Sequence, residues 1–284
     1  MPNSHITVQS LACTDVQILR SCFNASFQQY YVPLHLSKEQ FADKITAEAI
    51  DLKLSFGLFD QEELVGFILH GIDIIGNQKI AYNAGIGILP EYRGYKLSYR
   101  LYEHSISQLK KEGIGKAILE VVEQNIPAIK TYLRMGFNVT RKLNSYQGKP
   151  ILNDPMAIEV ETLPSLDWEL IRKSCEWNPS WQYSTNCIKR ALSEYTLQIV
   201  RQDKEPVAYC IANFNTGRIA HFGCVNIEFK EKYLAALFNQ VNGVNTDHMT
   251  SVINVDTNAL YANTFLLSIG LSRLCTACEM EMAL

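Results

Sequence analysis

One stretch of the sequence decides the fold, and it reads Ile88-Leu89-Pro90-Glu91-Tyr92-Arg93-Gly94-Tyr95-Lys96-Leu97-Ser98. It continues a run at 79–89 that predicts a strand, and it leads into a predicted helix with one apolar face. Gly85 and Gly87 lie inside the strand, where glycine usually marks a bulge or the close approach of a backbone or a ligand. The stretch is therefore either an ordinary strand-to-helix turn with solvated Arg93 and Lys96, or a loop that binds an anion.

The first half of the chain predicts an antiparallel meander followed by alternating helix and strand. Thr14 and Ser37 are the predicted N-caps of the first two helices. The predicted elements are a strand at 6–11, helices at 15–27 and 37–50, strands at 54–59, 64–72 and 79–89, a helix at 97–113, a strand at 117–122 and a helix at 125–136.

The second half repeats this order at shorter length. Residues 144–165 contain four Gly and Pro residues and have no clear helix or strand pattern, although residues 156–161 alternate between apolar and polar as a strand does. We predict two domains, 1–163 and 164–284. The elements predicted after Pro164 are helices at 166–174 and 184–192, strands at 196–201, 207–213 and 219–225, a helix at 228–241, a strand at 251–255, a helix at 258–268, and further strands.

Composition excludes several classes of protein. Of 284 residues 47% are hydrophobic and 19% charged, which is typical of a globular protein and not of a disordered or collagenous one. The net charge is −3, so the chain lacks the excess of basic residues that is typical of nucleic-acid-binding proteins. Eight scattered cysteines indicate free thiols, and no leader or membrane segment is apparent, so we expect a protein of the reducing cytoplasm.

The 88–98 stretch has a companion downstream, Asn125-Ile126-Pro127-Ala128-Ile129-Lys130-Thr131-Tyr132-Leu133-Arg134-Met135-Gly136-Phe137. Together the two resemble the GNAT superfamily of N-acetyltransferases, and the resemblance covers about residues 6–162. It implies an α/β (α+β) fold with a mixed, mostly antiparallel sheet that splays between its fourth and fifth strands. Acetyl-CoA is then expected in the gap as co-substrate, with no metal.

The resemblance assigns residues to the cofactor. The family loop reads Gln/Arg-x-x-Gly-x-Gly/Ala, and its backbone N–H groups and the following helix N-terminus bind the diphosphate. The expected cofactor-binding residues are Arg93, Gly94, Tyr95, Lys96, Leu97, Ser98 and Asn125, with the backbone N–H groups of Ile86 and Ile88 holding the pantetheine and the thioester carbonyl. Lys96 replaces the usual glycine, which costs about 1 kcal/mol if φ is positive there, although its ammonium group can contact phosphate.

Two side chains are expected to be catalytic. The family tyrosine lies beside the CoA sulfur, which makes Tyr132 the general acid for the departing thiolate. Family members that acetylate protein N-termini place a base glutamate twelve residues earlier, and Glu120 keeps that spacing. The alternatives are a tyrosine that only packs on the sheet and a glutamate that faces solvent or forms a salt bridge.

Other residues shape the expected acceptor site. Phe23, Phe27, Tyr30 and Tyr31 form an aromatic stripe that is either core or pocket, and the 144–155 loop is expected to help cover the site. In the second half Leu266 stands in place of the tyrosine and Asn254 in place of the glutamate. The loop at 226–233 has no glycine and carries acidic residues, so we interpret 164–284 as a degenerate, non-catalytic copy.

The sequence thus predicts an N-acetyltransferase that moves an acetyl group directly from acetyl-CoA to a primary amine of a small molecule or peptide. The alternatives are a non-catalytic acyl-CoA-binding or regulatory module, and a structural protein that keeps only the fold. Cys275-Thr276-Ala277-Cys278 is a lone pair of cysteines, and the six histidines show no ligand spacing, so no metal site is expected. Nucleic-acid and membrane partners are not expected either.

Overall fold

The computed structural model describes residues 5–28, 30, 34–152, 158–165, 168–225, 228–244 and 249–284. The chain divides into two compact units. Unit 1 comprises Met1–Thr140 together with Cys278–Leu284, and unit 2 comprises Arg141–Ala277. In the described residues no helix is both long and apolar enough to cross a membrane.

The elements of the first repeat alternate as the sequence analysis predicted, with differences at their ends. They are β1 (Ile6–Ser10), α1 (Val16–Phe27), α2 (Lys38–Ala47), β2 (Phe56–Asp60), β3 (Glu63–Ile75), β4 (Gln78–Ile88), α3 (Leu97–Lys111), β5 (Lys116–Val122), α4 (Ile126–Arg134) and β6 (Asn138–Gly148).

The second repeat has the same order of strands and helices. Its elements are β7 (Val160–Leu163), α5 (Trp168–Ser174), α6 (Thr185–Arg190), β8 (Thr196–Gln202), β9 (Glu205–Asn213), β10 (Arg218–Cys224), α7 (Lys230–Val244), β11 (Thr250–Asp256), α8 (Leu260–Ser268) and β12 (Ser272–Ala283). Two predicted elements, the strand at 156–161 and the helix at 166–174, begin outside the described residues, which leave out positions 156, 157, 166 and 167.

Each unit is built on a sheet in which one strand comes from the other repeat. In unit 1 the strand order is β1-β2-β3-β4-β5, followed by the end of β12. In unit 2 β7, β8, β9, β10 and β11 follow one another, and β11 pairs with the 143–148 part of β6. Within β1–β5 and within β7–β11 only the β4/β5 and β10/β11 pairs are parallel, so both sheets are mixed and mostly antiparallel.

The division of the chain falls between residues 140 and 141, whereas we predicted 163 and 164. The irregular segment that we predicted from residue 144 onward begins inside β6, because Asn144 to Gly148 pair with β11. This also places the 144–148 part of the expected acceptor loop in a strand, while 153–157 lie outside the described residues.

Helix ends follow local capping. Asp15 caps α1 by accepting from the N–H of Gln17 at 2.6 Å, so the cap is Asp15 and not Thr14. Ser37 caps α2 through a capping box with Gln40, as expected. The helix ends at Ala47 and not near 50, because the chain turns through a positive φ and then forms a bridge with β3.

Each unit has its own core. In unit 1 the helices α3 and α4 cover one face of the sheet, where the buried side chains include Leu58, Leu101, Leu119, Phe137 and Met280. In unit 2 the cluster is centred on Phe222, Phe238 and Phe265, whose rings meet edge to face or tilted at 5.2–6.1 Å. The cores explain the strand periodicity, because alternate residues of β5 are buried.

Candidate active site

The strands β4 and β5 part in the middle of unit 1. They pair only at three positions, from Ile80↔Lys116 to Tyr82↔Ile118, although β4 runs on to Ile88 and β5 to Val122. At the same point the register of β4 against β3 shifts between Asn83 and Gly85, which makes Ala84 a bulge. The bulge bends β4, and a gap opens between the two strands beyond Tyr82.

The backbone N–H groups of Ile86 and Ile88 point into this gap. Leu89 N–H donates to the carbonyl of Val65 in β3 at 2.9 Å. Because successive N–H groups of a strand alternate in direction, those of Ile88 and Ile86 point away from β3, toward the side on which β5 has departed. These are the two donors that the sequence analysis expected to hold a thioester carbonyl.

Gly87 allows α1 to pack close to β4. A Cβ at this position would lie 2.6 Å from the Ser26 Cβ and 2.7 Å from the Phe67 ring, so any side chain would push the helix away. Gly85 has φ +154° beside the bulge. The glycines that the sequence analysis singled out therefore serve the close approach of a helix and the bend of the strand.

The loop between β4 and α3 presents a run of backbone donors. In the described part of the chain, the N–H groups of residues 94–98 have no hydrogen-bond acceptor. Gly94 has φ +88° and Lys96 has φ +59°, and these two turns bring the loop onto the first turn of α3. Leu97 is buried and anchors that turn in the core. Successive free N–H groups at a helix N-terminus attract an anion.

Arg93 ties the loop to its neighbours. Its Nε donates to the carbonyl of Ile88 at 3.0 Å, and its Nη2 donates to the carbonyl of Ser26 at 2.8 Å. The side chain thus joins the end of β4 to α1. Two of its N–H groups bind backbone carbonyls, and the expected contact of Arg93 with a cofactor stays a prediction. Tyr95 is half-exposed and Lys96 is exposed beside the free N–H groups.

Tyr132 lies in the core face of α4. Its ring meets Tyr102 edge to face at 5.5 Å and Phe137 at 6.0 Å, and its side chain is buried. Burial and the nearby Tyr30 hydroxyl raise the pKa of Tyr132, while the neighbouring Tyr102 hydroxyl partly opposes this shift. The phenol is therefore protonated at neutral pH, as a general acid must be.

Glu120 is on the opposite face of β5. Leu119 and Val121 point into the core with Tyr132, so the alternation of the strand turns Glu120 the other way. Its side chain is half-buried, and its Oε1 is shielded from solvent. The alternation predicted from the sequence is therefore observed.

Asn125 begins α4. Its Oδ1 accepts from the N–H of Ala128 at 3.3 Å, and its Nδ2 donates to the Tyr30 hydroxyl oxygen at 3.5 Å. The predicted N-cap is therefore present, and the amide also reaches the α1 side of the sheet. Tyr31 lies outside the described residues.

The aromatic stripe of α1 is partly core. Phe23 is buried and packs on Phe41 and Phe67 at 5.4 and 5.5 Å, whereas Phe27 and Tyr30 are half-buried and meet edge to face at 5.3 Å. Sequence reasoning left core and pocket open, and the structure divides the stripe between a buried end and a partly accessible end.

Sequence reasoning missed Asn83 and Tyr102. Asn83 Nδ2 donates to the Tyr102 hydroxyl, and Asn83 Oδ1 accepts from Gly85 N–H at 3.0 Å. One signal was available, because Asn83 is a polar residue within an otherwise apolar stretch of β4. Its partner on α3 could not be found from spacing, because the two residues belong to different elements.

Comparison with known proteins agrees with this architecture. The model of the acetyltransferase (GNAT) family matches residues 16–137. N-alpha-acetyltransferase 30 of Schizosaccharomyces pombe is 28% identical over 95 residues, which are 33% of this chain and 63% of the relative. The chain therefore spans less than two thirds of the length of that curated relative.

Solved structures extend the likeness in fold to nearly the whole chain. A GCN5-related N-acetyltransferase from Sphaerobacter thermophilus has a TM-score of 0.73 at 14% identity, covering 99% of this chain and 96% of its own. One from Anabaena variabilis has a TM-score of 0.56 at 12% identity, covering 97% and 72%. Residues 16–137, which include the gap, the loop, Glu120 and Tyr132, are therefore similar to the acetyltransferase (GNAT) family.

Proposed function

We propose that unit 1 transfers an acetyl group from acetyl-CoA directly to a primary amine. The observation that carries the proposal is the gap between β4 and β5, which adjoins the free N–H groups of residues 94–98. The gap suits an extended pantetheine chain, and the donors suit a diphosphate. The family match and the similarity to an N-alpha-acetyltransferase support acetyl transfer to an amine.

In the proposed reaction the amine nitrogen attacks the thioester carbonyl carbon, so that a C–N bond forms and the C–S bond breaks. The N–H groups of Ile86 and Ile88 donate to the oxyanion of the tetrahedral intermediate. Glu120 accepts the proton that the attacking amine loses, directly or through water. Tyr132 donates its proton to the departing thiolate, which leaves as a thiol.

The acceptor is a primary amine of a small molecule or of a peptide. A peptide N-terminus is one candidate, because the chain is similar to an N-alpha-acetyltransferase. A reducing compartment such as the cytoplasm is part of the proposal, which the eight free cysteines support.

Unit 2 is proposed to lack this activity. Leu266 is fully buried at the position of the tyrosine, and Asn254 donates to Ser180 Oγ at 3.0 Å at the position of the glutamate. The carboxylate of Glu176 accepts from two N–H groups at the start of α8, where α4 of the first repeat has Asn125. Asn226 and Ile227 of the loop lie outside the described residues.

The first experiment measures binding and turnover separately. Acetyl-CoA at about 100 times its Kd is expected to stabilise the protein by about 2.7 kcal/mol. Thiol release is then followed with a panel that contains a polyamine, an amino sugar, an amino acid and peptides with free N-termini. Binding with thiol release for at least one amine supports the enzyme.

A matched pair of variants tests the donor loop. Ser98→Pro deletes one free N–H at the second position of α3, where proline is tolerated, as at Pro127 in α4. Glu231→Pro makes the same change at the second position of α7 in unit 2. Weaker acetyl-CoA binding is expected for Ser98→Pro alone, and equal effects of the two variants would contradict the proposed site.

A non-catalytic acyl-CoA-binding module is the second candidate. Two observations favour it, since Lys96 holds a left-handed conformation in the loop and Arg93 is bound to carbonyls. Acetyl-CoA binding without thiol release for any amine, and without slow hydrolysis, would support this candidate over the enzyme. Absence of binding at millimolar acetyl-CoA would contradict both.

A further inference from the structure

A cysteine and a histidine of unit 2 lie side by side on the wall of a cavity. Cys175 Sγ is 3.6 Å from His221 Nδ1, which is within hydrogen-bond reach of a thiol. Both residues line a cavity of about 680 Å³, to which α5, the start of α6 and β10 contribute. Cys175 is half-buried, so a small molecule in the cavity can reach its sulfur.

The contacts of His221 fix which of its ring nitrogens is the base. Nε2 lies 2.9 Å from the backbone carbonyl oxygen of Tyr183, and a carbonyl oxygen can only accept. Nε2 therefore carries the proton, and the lone pair of Nδ1 faces Cys175. Burial lowers the pKa of His221 to about 4, so the imidazole is neutral at pH 7 and can take up a proton.

The thiol of Cys175 needs such a base in order to react. Burial raises its pKa above the ordinary value, so the thiol keeps its proton at neutral pH. Its Sγ also donates to the carbonyl oxygen of Trp177 at 3.0 Å, but a carbonyl is too weak a base to remove the proton. Cys175, His221 and Tyr183 thus supply a nucleophile, its base and the group that orients the base.

Trp177 and Tyr209 complete the surroundings of the imidazole. The Trp177 ring is stacked on that of His221, with centroids 6.1 Å apart and planes 17° apart. The Tyr209 hydroxyl oxygen lies 3.3 Å from Nδ1, so this phenol competes with Cys175 for the same lone pair. Removal of the phenol is therefore expected to leave Nδ1 to the thiol.

The bulges of β4 and β10 show which positions of the two repeats correspond. β10 has a bulge at Ala220, as β4 has one at Ala84. The glycine three residues later, Gly87 or Gly223, packs in each case against the serine near the end of the helix α1 or α5. The two strands and their helices are therefore equivalent around these bulges.

By this correspondence His221 occupies the position of Gly85, and Cys175 that of Phe27. His221 and Gly85 each directly follow the bulged residue, and Cys175 and Phe27 each directly follow the serine. The two positions also face each other in unit 1, where a Cβ at Gly85 would lie 3.9 Å from the Phe27 ring. The pair in unit 2 thus stands where unit 1 has the wall between α1 and the bulge.

The strands of unit 2 part beside the pair. β10 pairs with β11 only at Arg218↔Ser251 and Ile219↔Val252, although β10 runs on to Cys224. In unit 1 the amine is proposed to reach the thioester at such a gap, on the face of β5 that carries Glu120. We propose that Cys175 is an acyl acceptor, whose sulfur attacks the carbonyl carbon of a thioester while His221 takes its proton.

In this step a bond forms between Cys175 Sγ and the acyl carbon, and the bond from that carbon to the sulfur of the substrate breaks. The thiol proton moves to His221 Nδ1 and from there to the departing thiolate, which leaves as a thiol. Neither carbon nor sulfur changes its oxidation state, because one thioester replaces another. The step modifies unit 2 and is distinct from the amine acetylation that this unit is proposed to lack.

The substrate class is a small thioester without a nucleotide. Glu228 precedes α7, and Glu231 lies in its first turn. Their carboxylates repel a diphosphate at the place where unit 1 has its free N–H groups.

The test uses the full chain and S-acetyl-N-acetylcysteamine, a small thioester. Mass spectrometry of peptides locates the acetyl group, and its release by hydroxylamine confirms that it is bound to sulfur. We expect acetylation of Cys175 and none of Cys187, Cys210 and Cys224, which are buried in the same unit. No acetyl group on Cys175, or an equal yield on the other three, would overturn the proposal.

His221→Gln removes the base and keeps the orienting contact. The glutamine amide can still donate to the carbonyl of Tyr183, but it has no basic nitrogen. The rate of Cys175 acetylation is expected to fall about 10²-fold, on the scale of general base catalysis. An unchanged rate would mean that His221 does not take the proton, which overturns the role of the pair.

Tyr209→Phe separates the base from the packing around it. It deletes the competing donor, so acetylation of Cys175 is expected to become a few-fold faster. The gain should vanish in the His221→Gln background, because no lone pair is left to release. A gain of the same size in both backgrounds would mean that the variant only exposes the thiol, and this too would overturn the role of the pair.

Acetyl-CoA at the same concentration is the second arm of the experiment. It is expected to acetylate Cys175 more slowly than the small thioester, and an equal or faster rate would overturn the substrate class.

The choice of a thioester rests on the function proposed for unit 1, so that function is measured in parallel. Tyr132→Phe is expected to lower thiol release from acetyl-CoA with an amine, and to leave the acetylation of Cys175 by the small thioester unchanged. Acetylated Cys175 in a protein that releases no thiol with any amine overturns only the proposed function. Thiol release with an amine but no acetylated Cys175 overturns only this inference.

Discussion

Lys96 is the residue at which this loop departs most from what its backbone favours. It has φ +59° and ψ 22°, a left-handed conformation that costs a residue with a Cβ about 1–2 kcal/mol. Lys96→Gly is therefore expected to raise the free energy of unfolding by about 1 kcal/mol. It is also expected to weaken acetyl-CoA binding, because the exposed ammonium group is lost. Urea unfolding and a titration with acetyl-CoA measure the two effects.

Lys96→Asn is the control for charge, because asparagine tolerates the left-handed region and carries no ammonium group. It should weaken acetyl-CoA binding like Lys96→Gly while stabilising the fold less. If neither variant alters binding, the ammonium group does not contact the phosphates.

Tyr132 carries the second prediction at this scale. Tyr132→Phe removes the hydroxyl and keeps the ring, so kcat is expected to fall by about 10²-fold or more while the Kd of acetyl-CoA stays nearly the same. Since burial raises the pKa of Tyr132 above its ordinary value, the wild-type kcat should show no decline from this group up to about pH 10.

A profile of kcat from pH 6 to 10 measures this. A decline near pH 8 that disappears in Tyr132→Phe would contradict the assignment, because it would assign a low pKa to this phenol. A kcat that Tyr132→Phe leaves unchanged would remove the hydroxyl from the mechanism.

The roles of individual residues were predictable where a pattern within a few residues determines them. Asn125, Gly136 and the positive φ that would strain Lys96 follow from capping and turn chemistry within a few residues. The carbonyl partners of Arg93 were not predictable, because one of them lies 67 residues away on α1. The same holds for Asn83 and Tyr102, 19 residues apart.

At the scale of elements, the helices α4 and α8 show how the repeats have diverged. α4 is capped by its own Asn125, whereas α8 begins after Ala259, which gives no side-chain cap. Glu176 replaces the cap, accepting from the N–H groups of Tyr261 at 3.0 Å and Ala262 at 2.9 Å. A carboxylate at this end also interacts favourably with the helix dipole.

Glu176→Ala is expected to lower the free energy of unfolding by about 1–2 kcal/mol, because two N–H groups lose a charged acceptor. Chemical unfolding measures it, with Glu169→Ala as the matched control. Glu169 forms an exposed ion pair with Lys173 at 2.6 Å, so its loss should change stability by less than about 0.5 kcal/mol. Equal losses would mean that Glu176 does not act as a cap.

The elements themselves were largely predictable, and their ends were not. Alternation and capping gave the order of strands and helices in both halves, with α1 and α2 off by a few residues where local turns decide. The strand at 144–148 was not predicted, because β11, with which it pairs, lies more than a hundred residues away in the sequence. Gly148 and Pro150 are typical of a linker, so the sequence did not predict that a strand precedes them.

At the scale of the whole chain, the repeats exchange a strand. The last strand of the first repeat, β6, pairs with β11, and the end of β12 belongs to unit 1. The duplication was visible in the sequence, because both halves have the same order of elements. The exchange was not, because the apolar pattern of a last strand does not specify which repeat it joins.

The exchange predicts that residues 1–163 alone do not form a stable acetyl-CoA-binding domain. This fragment lacks Cys278, Met280 and Met282, which are buried in the core of unit 1. Burying each methionine contributes about 1.5–3 kcal/mol, and β5 loses its neighbour in the sheet. The loss approaches the total stability of a domain, about 5–15 kcal/mol. Circular dichroism and an acetyl-CoA thermal shift are expected to show an unfolded or unresponsive fragment.

A peptide of residues 272–284 added to the fragment is expected to restore binding, since it supplies the missing strand. In the intact chain Met280→Ala should cost about 2–5 kcal/mol by leaving a cavity. Leu274→Ala, at an exposed position of the same strand, should cost less than about 0.5 kcal/mol. A fragment of 1–163 that folds and binds acetyl-CoA without the peptide would mean that unit 1 does not need β12, and the boundary predicted from the sequence would then be the functional one.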